Sequence, residues 1–507
     1  MTNSYITYSR ENGGRVLLLF LLFLLALYQL THAGFSSFAV VCLIPCLVIA
    51  VYCAFRWKML TFWILFIVNY FIQMKDVSTR LTIPLSLPNE MLQITLLAIA
   101  IIDARVNPHF EKCANMMLFA LMIWCGFCTI EILNDTCGLG INIGNWYQGA
   151  RLMAFQLLYI FLVFSIYIST PESLLRYLMI WGGLALFSVI WTYKQINYGF
   201  TNIENAWFWT HAARTHVLNG GSLIRYFSTF SDAANYGCNA AAAAVAFIIF
   251  AITTRFNKFR IFYAVVAILV IWGMFQSGTR TAIFCLAAGL IVYVFLSKSV
   301  KIAVPFSIAF VIFAFILVFT NIGQGNQQIR RMRSAFDKKD ASANVRDINK
   351  AAIRKYIQDA PWGIGIGMNQ ENVPANNKYR RLSMIPPDSE YVFIWVRTGP
   401  VGLTVFILTT LIMLGGACWT VLFKIKNKSL VGIGGGLCGA FVAIHLGGYA
   451  NQILMQFPNC LIYYGGLSIV YILPYIEPAW IELENKQLAE RAERKRLKLE
   501  KKLASRV

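Results

Sequence analysis

The stretch from Val16 to Leu30, VLLLFLLFLLALYQL, carries no charged side chain and has the length and character of a membrane span. No small-x-small cleavage site follows it before the chain becomes apolar again, so we expect a first span and not a removed signal peptide. The whole chain is also strongly apolar: 58% of its 507 residues are hydrophobic, 13% are charged, and the mean hydropathy is +0.60. Soluble proteins carry about twice that charged fraction. The sequence therefore predicts an all-α polytopic membrane protein.

Apolar runs of membrane-spanning length recur along the chain. They begin near Val16, Phe38, Leu60, Met91, Cys113, Leu152, Tyr177, Ala234, Ile261, Thr281, Ile302, Tyr391, Val431 and Cys460. The two shortest runs, Leu60 to Met74 and Met91 to Ala104, leave the count open. We therefore expect about 12–14 transmembrane helices, and an even number places both termini on one side.

Basic residues in the short connections predict which side of the membrane each connection faces. Cytoplasmic loops carry an excess of Lys and Arg. One alternate set of connections holds Arg10, Arg15, Arg56, Lys58, Arg105, Lys112, Arg176, Arg255, Lys258, Arg260, Lys298, Lys301, Lys424, Lys426 and Lys428. We expect this set and both termini to be cytoplasmic. The long polar connections, residues 75–90, 134–151, 194–232 and 323–389, then lie outside.

Polarity divides the chain into four parts. Residues 1–322 carry the N-terminal spans, residues 323–389 form a large extracytoplasmic loop, residues 390–476 carry the C-terminal spans, and residues 477–507 form a basic cytoplasmic tail. The large loop contains twelve Lys or Arg against six Asp or Glu, a net charge of +6. Long loops are translocated largely regardless of charge, so topology permits this excess but does not explain it.

A helix followed by a glycine-rich turn is predicted inside the large loop, in NVRDINKAAIRKYIQDAPWGIGIGM at residues 344–368. Over Asn344 to Asp359, apolar side chains recur on one helix face at Val345, Ile348, Ala352, Tyr356 and Ile357. Pro361 disfavours helical geometry in the residue before it. We expect Gly363, Gly365 and Gly367 to shape the loop, because glycine permits a tight turn.

Four arginines are predicted to form an external anion site close to the membrane. Arg346 and Arg354 are two turns apart on the predicted helix, Arg225 precedes a span that contains NAAAAAVAF, and Arg280 lies in a short connection between two spans. A guanidinium group offers a rigid bidentate fork for phosphate oxygens. A lipid-linked pyrophosphate is the anion that resides at such a boundary. A solvated helix face and a snorkelling Arg280 are the alternative interpretations.

Several classes of soluble enzyme site are not indicated. The cysteines are mostly scattered singly in apolar runs, and the one CxxC, Cys125 and Cys128, has no second pair, so neither a zinc nor a redox site is predicted. The chain contains no P-loop, no GxGxxG after a strand and no HExxH. These absences argue against an ATPase, a dehydrogenase and a zinc peptidase.

The order of the motifs resembles the O-antigen ligase and polymerase family of bacterial envelope glycosyltransferases. The resemblance covers roughly Arg225 to Gly402: an arginine before FSTFSDAANYG, then SGTRTAIF, then a long outer loop with R-x7-R running into PWGIGIG, then DSEYVFIWVRTGPVGL. It implies a metal-independent membrane glycosyltransferase without a cofactor, located in the bacterial cytoplasmic (inner) membrane. It also implies an undecaprenyl-diphosphate-linked glycan as the donor.

The two branches of this family differ in their acceptor. Polymerases add the glycan to another lipid-linked repeat unit, which gives O-antigen or capsular polysaccharide, whereas ligases transfer it to the lipid A-core of lipopolysaccharide. Family ligases usually place a His just before the span that here opens with EYVFIW, where this chain has residues 387–390, PDSE. The polymerase is therefore favoured. The implied partners are the donor, a glycan or lipid A-core acceptor, membrane lipids and a chain-length regulator protein, with no nucleic acid.

Attack by a sugar hydroxyl on an anomeric carbon is helped by a base. Asp388 and Glu390 are the best candidates, although either could instead cap the following helix. We therefore expect Asp388, Glu390 and Arg354 to be catalytic. His211 and His216, in THAARTH, are alternative bases or surface residues. A lipid-oligosaccharide flippase is the rival class, but a transporter should hold ionisable residues at mid-span, whereas here the charges gather at span ends and in loops.

Overall fold

The computed structural model describes residues 13–80, 84–104, 110–218, 223–298, 325–333, 341–385 and 389–504, together with scattered residues between 304 and 322. The chain divides into two units, Met1–Trp63 and Ile64–Val507. In the first unit, α1 spans Gly13–Arg56, and α2 (Lys58–Phe71) begins there and continues into the second unit. In the first unit the side chain of Phe62 is fully buried.

The second unit is almost entirely helical in its described part. Its first half contains α3 (Lys75–Ser78), α4 (Ser86–Asp103), α5 (Met116–Ile130), α6 (Ile143–Ala150), α7 (Gln156–Tyr167), α8 (Pro171–Asn197), α9 (Asn202–Trp207) and α10 (Ala213–His216). A turn of π-helix, Arg151–Phe155, joins α6 to α7 without a break. One short antiparallel hairpin follows, in which β1 (Val217–Leu218) pairs with β2 (Leu223–Ile224).

The second half continues with longer helices. These are α11 (Ala233–Thr253), α12 (Asn257–Gln276), α13 (Thr281–Leu296), α14 (Gln327–Arg333), α15 (Ala341–Ile357), α16 (Arg380–Met384), α17 (Glu390–Trp419), α18 (Lys428–Ala450) and α19 (Asn459–Ala504). Helix α17 is kinked where Gly399 adopts a φ of 67° before Pro400. Proline lacks the N–H that an α-helix needs, so the kink has a local cause.

Nine helical segments among the described residues are long and apolar enough to cross a membrane. They are Ser86–Asp103, Met116–Leu133, Ile143–Tyr167, Pro171–Asn197, Ala233–Thr253, Asn257–Gln276, Glu390–Lys424, Lys428–Ala450 and Asn459–Arg494. The bent pair Val48–Arg56 and Lys58–Phe71 counts as a tenth if its two helices form one span, and Thr281–Leu296 is a shorter apolar helix. The prediction of an all-α polytopic membrane protein is confirmed. The predicted span near Ile302 begins outside the described residues.

Small residues allow the central helices to pack closely. Helix α11 is buried over most of its length, including every alanine from Ala240 to Ala244. A Cβ atom on Gly289 of α13 would lie 2.6 Å from the carbonyl oxygen of Gly439 in α18, and a Cβ atom on Gly439 would lie 2.6 Å from that of Gly289. Only glycine permits this approach, and close backbone packing is how transmembrane helices associate.

The four long polar connections meet on one side of the second unit, here named the loop face. Hydrogen bonds join them in pairs: Thr201 to Asp76 at 3.0 Å, Tyr147 to Glu90 at 3.1 Å and Asn134 to Trp362 at 2.7 Å. The opposite ends of the same helices form the basic face. There Arg255 pairs with Glu484 at 3.4 Å, and Lys298 donates to the Ile425 carbonyl at 3.1 Å. The short basic connections and the long polar ones are thus separated, as the charge pattern predicts.

Candidate functional site

Arg225 is held in place at the loop face, directly after β2. Its Nε donates to the Ser277 carbonyl at 3.2 Å, Nη1 to the Thr215 carbonyl at 3.1 Å, and Nη2 to Thr279 Oγ1 at 3.1 Å. Burial lowers the pKa of Arg225 from its usual value, although Asp232 raises it, and the nearby charge of Arg280 lowers it again. An arginine nevertheless stays protonated, so the site keeps its positive charge.

A second and a third arginine meet Arg225 at the turn between α12 and α13. Gly278 in this turn has a φ of +57°, and a Cβ atom on it would lie 3.1 Å from Arg225 Cγ and 3.6 Å from Arg331 Cδ. Arg331 Nε donates to the Gly278 carbonyl at 2.9 Å, and Arg280 is the N-cap residue of α13. We name Arg225, Arg280 and Arg331 the arginine cluster. The structure brings Arg225 and Arg280 together, as the sequence predicts, and adds Arg331.

Two helices begin beside the cluster, and this strengthens its attraction for anions. The N-terminus of a helix carries a partial positive charge. Helix α13 starts immediately after Arg280, and α11 starts after Asp232, whose Oδ1 accepts from the N–H groups of Ala234 and Asn235 at 2.8 and 2.9 Å. Asp232 therefore accepts hydrogen bonds from two of the free N–H groups at the start of α11. Its single negative charge is outnumbered by the positive charges of the arginine cluster.

His216 completes the cap of α11. Its Nε2 accepts from the Ala233 N–H at 3.1 Å, and its Nδ1 lies 3.2 Å from the Ala212 carbonyl and 2.9 Å from Thr215 Oγ1. Burial, followed by the charge of Arg225, lowers the pKa of His216 to about 4. Both ring nitrogens are engaged and the ring is 5% exposed, so His216 has a structural place here and not a surface one. His211 is exposed, with Nδ1 2.6 Å from Thr210 Oγ1.

Lys75 adds a fourth cation near the start of α11. Its Nζ donates to the Ser231 carbonyl at 2.7 Å and lies 3.7 Å from the ring centroid of Trp207. Burial lowers the pKa of Lys75 to about 8, against the opposing charges of Asp232 and Glu204. The sequence indicated Lys75 only as the beginning of a polar connection. The sequence could not predict that Lys75 is buried, because Trp207, which contacts it, lies far along the chain.

The glycine turn of the large loop is docked against the kink of α17. Gly363, Gly365 and Gly367 have φ values of +71°, +99° and +87°, where side chains are disfavoured. The N–H groups of Ile364 and Gly365 donate to carbonyls of α17, those of Val396 and Arg397, at 3.0 Å each. A Cβ atom on Gly399 would lie 2.0 Å from the Pro361 carbonyl oxygen. The glycine turn and the kink of α17 therefore approach each other so closely that both need glycine at the contact.

Helix α15 packs on the loop by part of the predicted face, with Ile357 buried and Tyr356 packed beside it, and adds Ile353. Ile353 and Ile357 are 0% and 6% exposed and join a cluster that contains Ile364, Val392 and Val396. Ile348, which the sequence placed on the apolar face, is 67% exposed. The predicted face was wrong at this position because Ile348 lies about 140° around the helix from Ile353, at ~100° per residue.

Of the predicted anion-binding arginines of the large loop, Arg354 has a described side chain, and it makes no hydrogen bond to the arginine cluster among the described residues. Arg354 is exposed on α15, one turn beyond Lys350, whose Nζ donates to Tyr449 Oη at 3.1 Å. Arg346 is in α15, but its side chain lies outside the description, and Asp388 lies outside the described residues altogether. The large loop reaches the cluster instead through Arg331 of α14.

Glu390 begins α17 and is fully buried. Its Oε2 accepts from the Leu454 N–H at 2.9 Å, and its Oε1 has no hydrogen bond to the described residues. The neighbouring Ser389 donates its hydroxyl to the Gly448 carbonyl at 3.1 Å. Glu390 therefore attaches the start of α17 to the connection between α18 and α19, and Ser389 attaches it to the end of α18. The base role of Glu390 stays a prediction.

The arrangement is suited to binding a multiply charged phosphate at the membrane boundary. Three guanidinium groups and two helix N-termini converge at one turn, and the arginine donors are fixed before an anion arrives. Among the described residues, no group of three His, Cys, Asp or Glu side chains is placed to hold a metal ion.

Comparison with known proteins agrees with the motifs. No curated protein matches the chain. The model of a family described as O-antigen ligase matches residues 265–407, which run from α12 into α17. The matched stretch includes Arg280, Arg331, Arg354 and the glycine turn, whereas Arg225 precedes it. This part of the chain is therefore similar to the O-antigen ligase family, which is consistent with the family resemblance that the order of the sequence motifs predicted.

Proposed function

We propose that this protein polymerises undecaprenyl-diphosphate-linked oligosaccharide repeat units into O-antigen or capsular polysaccharide at the outer face of the cytoplasmic membrane. The family match supports a role in O-antigen or polysaccharide assembly for a multi-pass inner-membrane protein. The single observation that carries the finer proposal is the arginine cluster, in which three arginines surround one turn at the end of two spans. A lipid-linked pyrophosphate presents its charge at this depth.

The reaction needs little beyond charge stabilisation and positioning. The acceptor hydroxyl oxygen attacks the anomeric carbon of the donor, the bond from that carbon to the pyrophosphate oxygen breaks, and the hydroxyl proton passes to a base. The departing undecaprenyl diphosphate gains one negative charge. Fixed guanidinium groups stabilise this charge as it develops, which is often the largest contribution to catalysis. Holding donor and acceptor together supplies the remainder.

Arg354 and Arg346 are proposed to bind the same pyrophosphate from α15, and Asp388 or Glu390 to accept the proton. Arg354 is exposed and so is accessible to a ligand. Glu390 is buried and already accepts a backbone hydrogen bond, so of the two carboxylates we propose Asp388 as the base and Glu390 as its support. Gly363, Gly365 and Gly367 position the end of the loop through their contacts with α17.

The alternative is a ligase that transfers the glycan to lipid A-core, and the family match supports either function equally. Deleting the gene separates the two functions. A polymerase deletion leaves single repeat units, lipid-linked or capped onto the acceptor, while transfer to that acceptor continues. A ligase deletion leaves long chains on undecaprenyl diphosphate and none on the core. Long lipid-linked polymer in the deletion strain would overturn the polymerase.

A flippase is disfavoured by where the charges lie. Among the described residues, Arg151 pairs with Glu90 towards the loop face, and Arg255 pairs with Glu484 at the basic face. A translocation pathway should carry such groups at mid-span.

We also propose that both termini are cytoplasmic and that the loop face is external. In intact spheroplasts, and with the native thiols removed, a cysteine replacing Ser342 should react with an impermeant maleimide. Reaction only after lysis would reverse the orientation.

A further inference from the structure

A cavity of about 780 Å³ opens at the basic face, at the other end of the molecule from the arginine cluster. It lies between the start of α5, the end of α17 and the middle of α19. Its residues take no part in the proposed transfer reaction. The cavity therefore needs a separate explanation.

Two lysines line the cavity, and no Asp or Glu does. Lys112 Nζ lies 5.9 Å from the ring centroid of Tyr475, and Lys424 is exposed, with neither lysine paired to an acid in the described part of the chain. The nearest acid along α19, Glu477, is engaged by the N–H of Lys426 at 2.8 Å. The cavity is therefore an uncompensated cationic site, which favours an anion.

The aromatic residues around the cavity indicate its depth in the membrane. Trp419 and Tyr475 both line it and are 58% and 56% exposed. Exposed Trp and Tyr side chains at span ends settle at the level of lipid headgroups. Basic pockets between transmembrane helices at this level bind lipid headgroups, and anionic lipids attract juxtamembrane lysines.

Two glycines of α17 create the space. A Cβ atom on Gly416 would lie 2.4 Å from Tyr471 Oη, so Gly416 permits the close approach of α19. A Cβ atom on its neighbour Gly415, which lines the cavity, would meet no atom within 4 Å. A side chain at position 415 would therefore occupy the cavity without straining the helix.

We propose that this cavity binds the phosphate of an anionic phospholipid headgroup, with Lys112 and Lys424 as the cationic ligands and Trp419 and Tyr475 beside the glycerol and upper acyl chains. The proposal is independent of the glycan reaction. It assigns a lipid-binding site to the basic face, whereas the proposed catalytic site lies on the loop face.

Binding can be measured by native mass spectrometry of the purified full-length protein, titrated in detergent with phosphatidylglycerol or with phosphatidylcholine. The double variant Lys112→Gln/Lys424→Gln should bind phosphatidylglycerol at least about tenfold more weakly, because it loses both cations that attract the anionic headgroup. Lys258→Gln/Arg260→Gln removes two exposed charges from the same face outside the cavity and should change the affinity less than about twofold. Equal losses in both double variants would overturn the site.

A second pair of variants separates shape from charge. Gly415→Leu should fill the cavity and reduce phosphatidylglycerol binding while both lysines remain. Gly126→Leu, at an exposed position of α5 where a Cβ atom also meets nothing within 4 Å, should leave binding unchanged. All variants should show wild-type thermal midpoints in phosphatidylcholine nanodiscs. Unchanged binding in a folded Gly415→Leu variant, or equal occupancy by free glycerol 1-phosphate, would contradict the lipid assignment.

Discussion

The arginine cluster and α15 both present arginines on the loop face, but they hold them differently. Arg225 donates hydrogen bonds from three nitrogens to groups of the surrounding loops, and Arg331 is tied to the carbonyl of Gly278. Arg354 is exposed and has no hydrogen bond to the described residues. In the proposed reaction the cluster thus has its geometry before the pyrophosphate arrives, whereas Arg354 would be ordered only on binding it. Preorganised charges contribute more to catalysis than charges that must be ordered.

The largest loss of transfer rate is expected at Asp388, the proposed base, which belongs neither to the arginine cluster nor to α15. Asp388→Asn keeps the shape of the side chain and removes its capacity to accept a proton, so the transfer rate should fall about 10²- to 10⁴-fold. Glu390→Gln retains an oxygen for the Leu454 N–H and should lower the rate less than about tenfold. Both are measured as transfer from a lipid-linked donor by purified protein. The reverse order of the two effects would move the base to Glu390.

Arg225→Lys tests the preorganised half of the comparison. Lysine keeps the charge but cannot make the three hydrogen bonds of the guanidinium group, so the transfer rate should fall about 10²- to 10³-fold. The same substitution at Arg214, an exposed residue of the same connection, serves as the control and should change little. Thermal midpoints must be recorded for each. A rate near wild type in a folded Arg225→Lys protein contradicts the pyrophosphate role.

Arg354→Lys tests the exposed half. Here only the bidentate contact with the ligand is lost, so the rate should fall by about tenfold and the thermal midpoint should not move. Lys355→Ala, at the next exposed position of α15, should be tolerated. An effect at Arg354 as large as that at Arg225 would show that both groups are equally ordered in the active state.

The smallest effect concerns pH and Lys75. Its pKa of about 8 is below the usual value of 10.5, so the folded state binds this proton less tightly than the unfolded state. Stability should therefore rise as the pH passes from about 8 to 10.5, while donor affinity should fall about two- to threefold as one cation near the cluster is lost. Lys75→Met should remove both trends. A wild-type pH profile in that variant would exclude Lys75 as their source.

Patterns along the chain predict the membrane architecture well because lipid imposes strong rules. The length of an apolar run predicts a span, and the positions of Lys and Arg predict which connections share a face. The contacts of Asp76 and Asn134 on the loop face and of Arg255 on the basic face agree with this separation. The helix in the large loop was also predicted, with Ala341–Ile357 observed for Asn344 to Asp359 expected.

What could not be predicted depends on contacts between distant segments. Arg331 lies in QQIRRMR, where adjacent arginines are typical of a solvated surface, and its hydrogen bond to Gly278 is not visible in the sequence. His216 gave no signal of burial because the residues that cover it, Trp207, Phe208 and Phe227, belong to different elements. In the same way, Ile353 rather than Ile348 faces the core because of where the glycine turn lies.

The cap of α11 has a consequence for acid conditions. His216 can accept from the Ala233 N–H only while its Nε2 is unprotonated, and its pKa of about 4 keeps it so through mild acid. The stability that this contact supplies is complete above the usual histidine pKa of 6.5 and is lost as the pH falls towards 4, because the unfolded chain takes up the proton first. Under the proposed orientation, with the loop face external, the start of α11 keeps its geometry when mild acid reaches that side of the membrane.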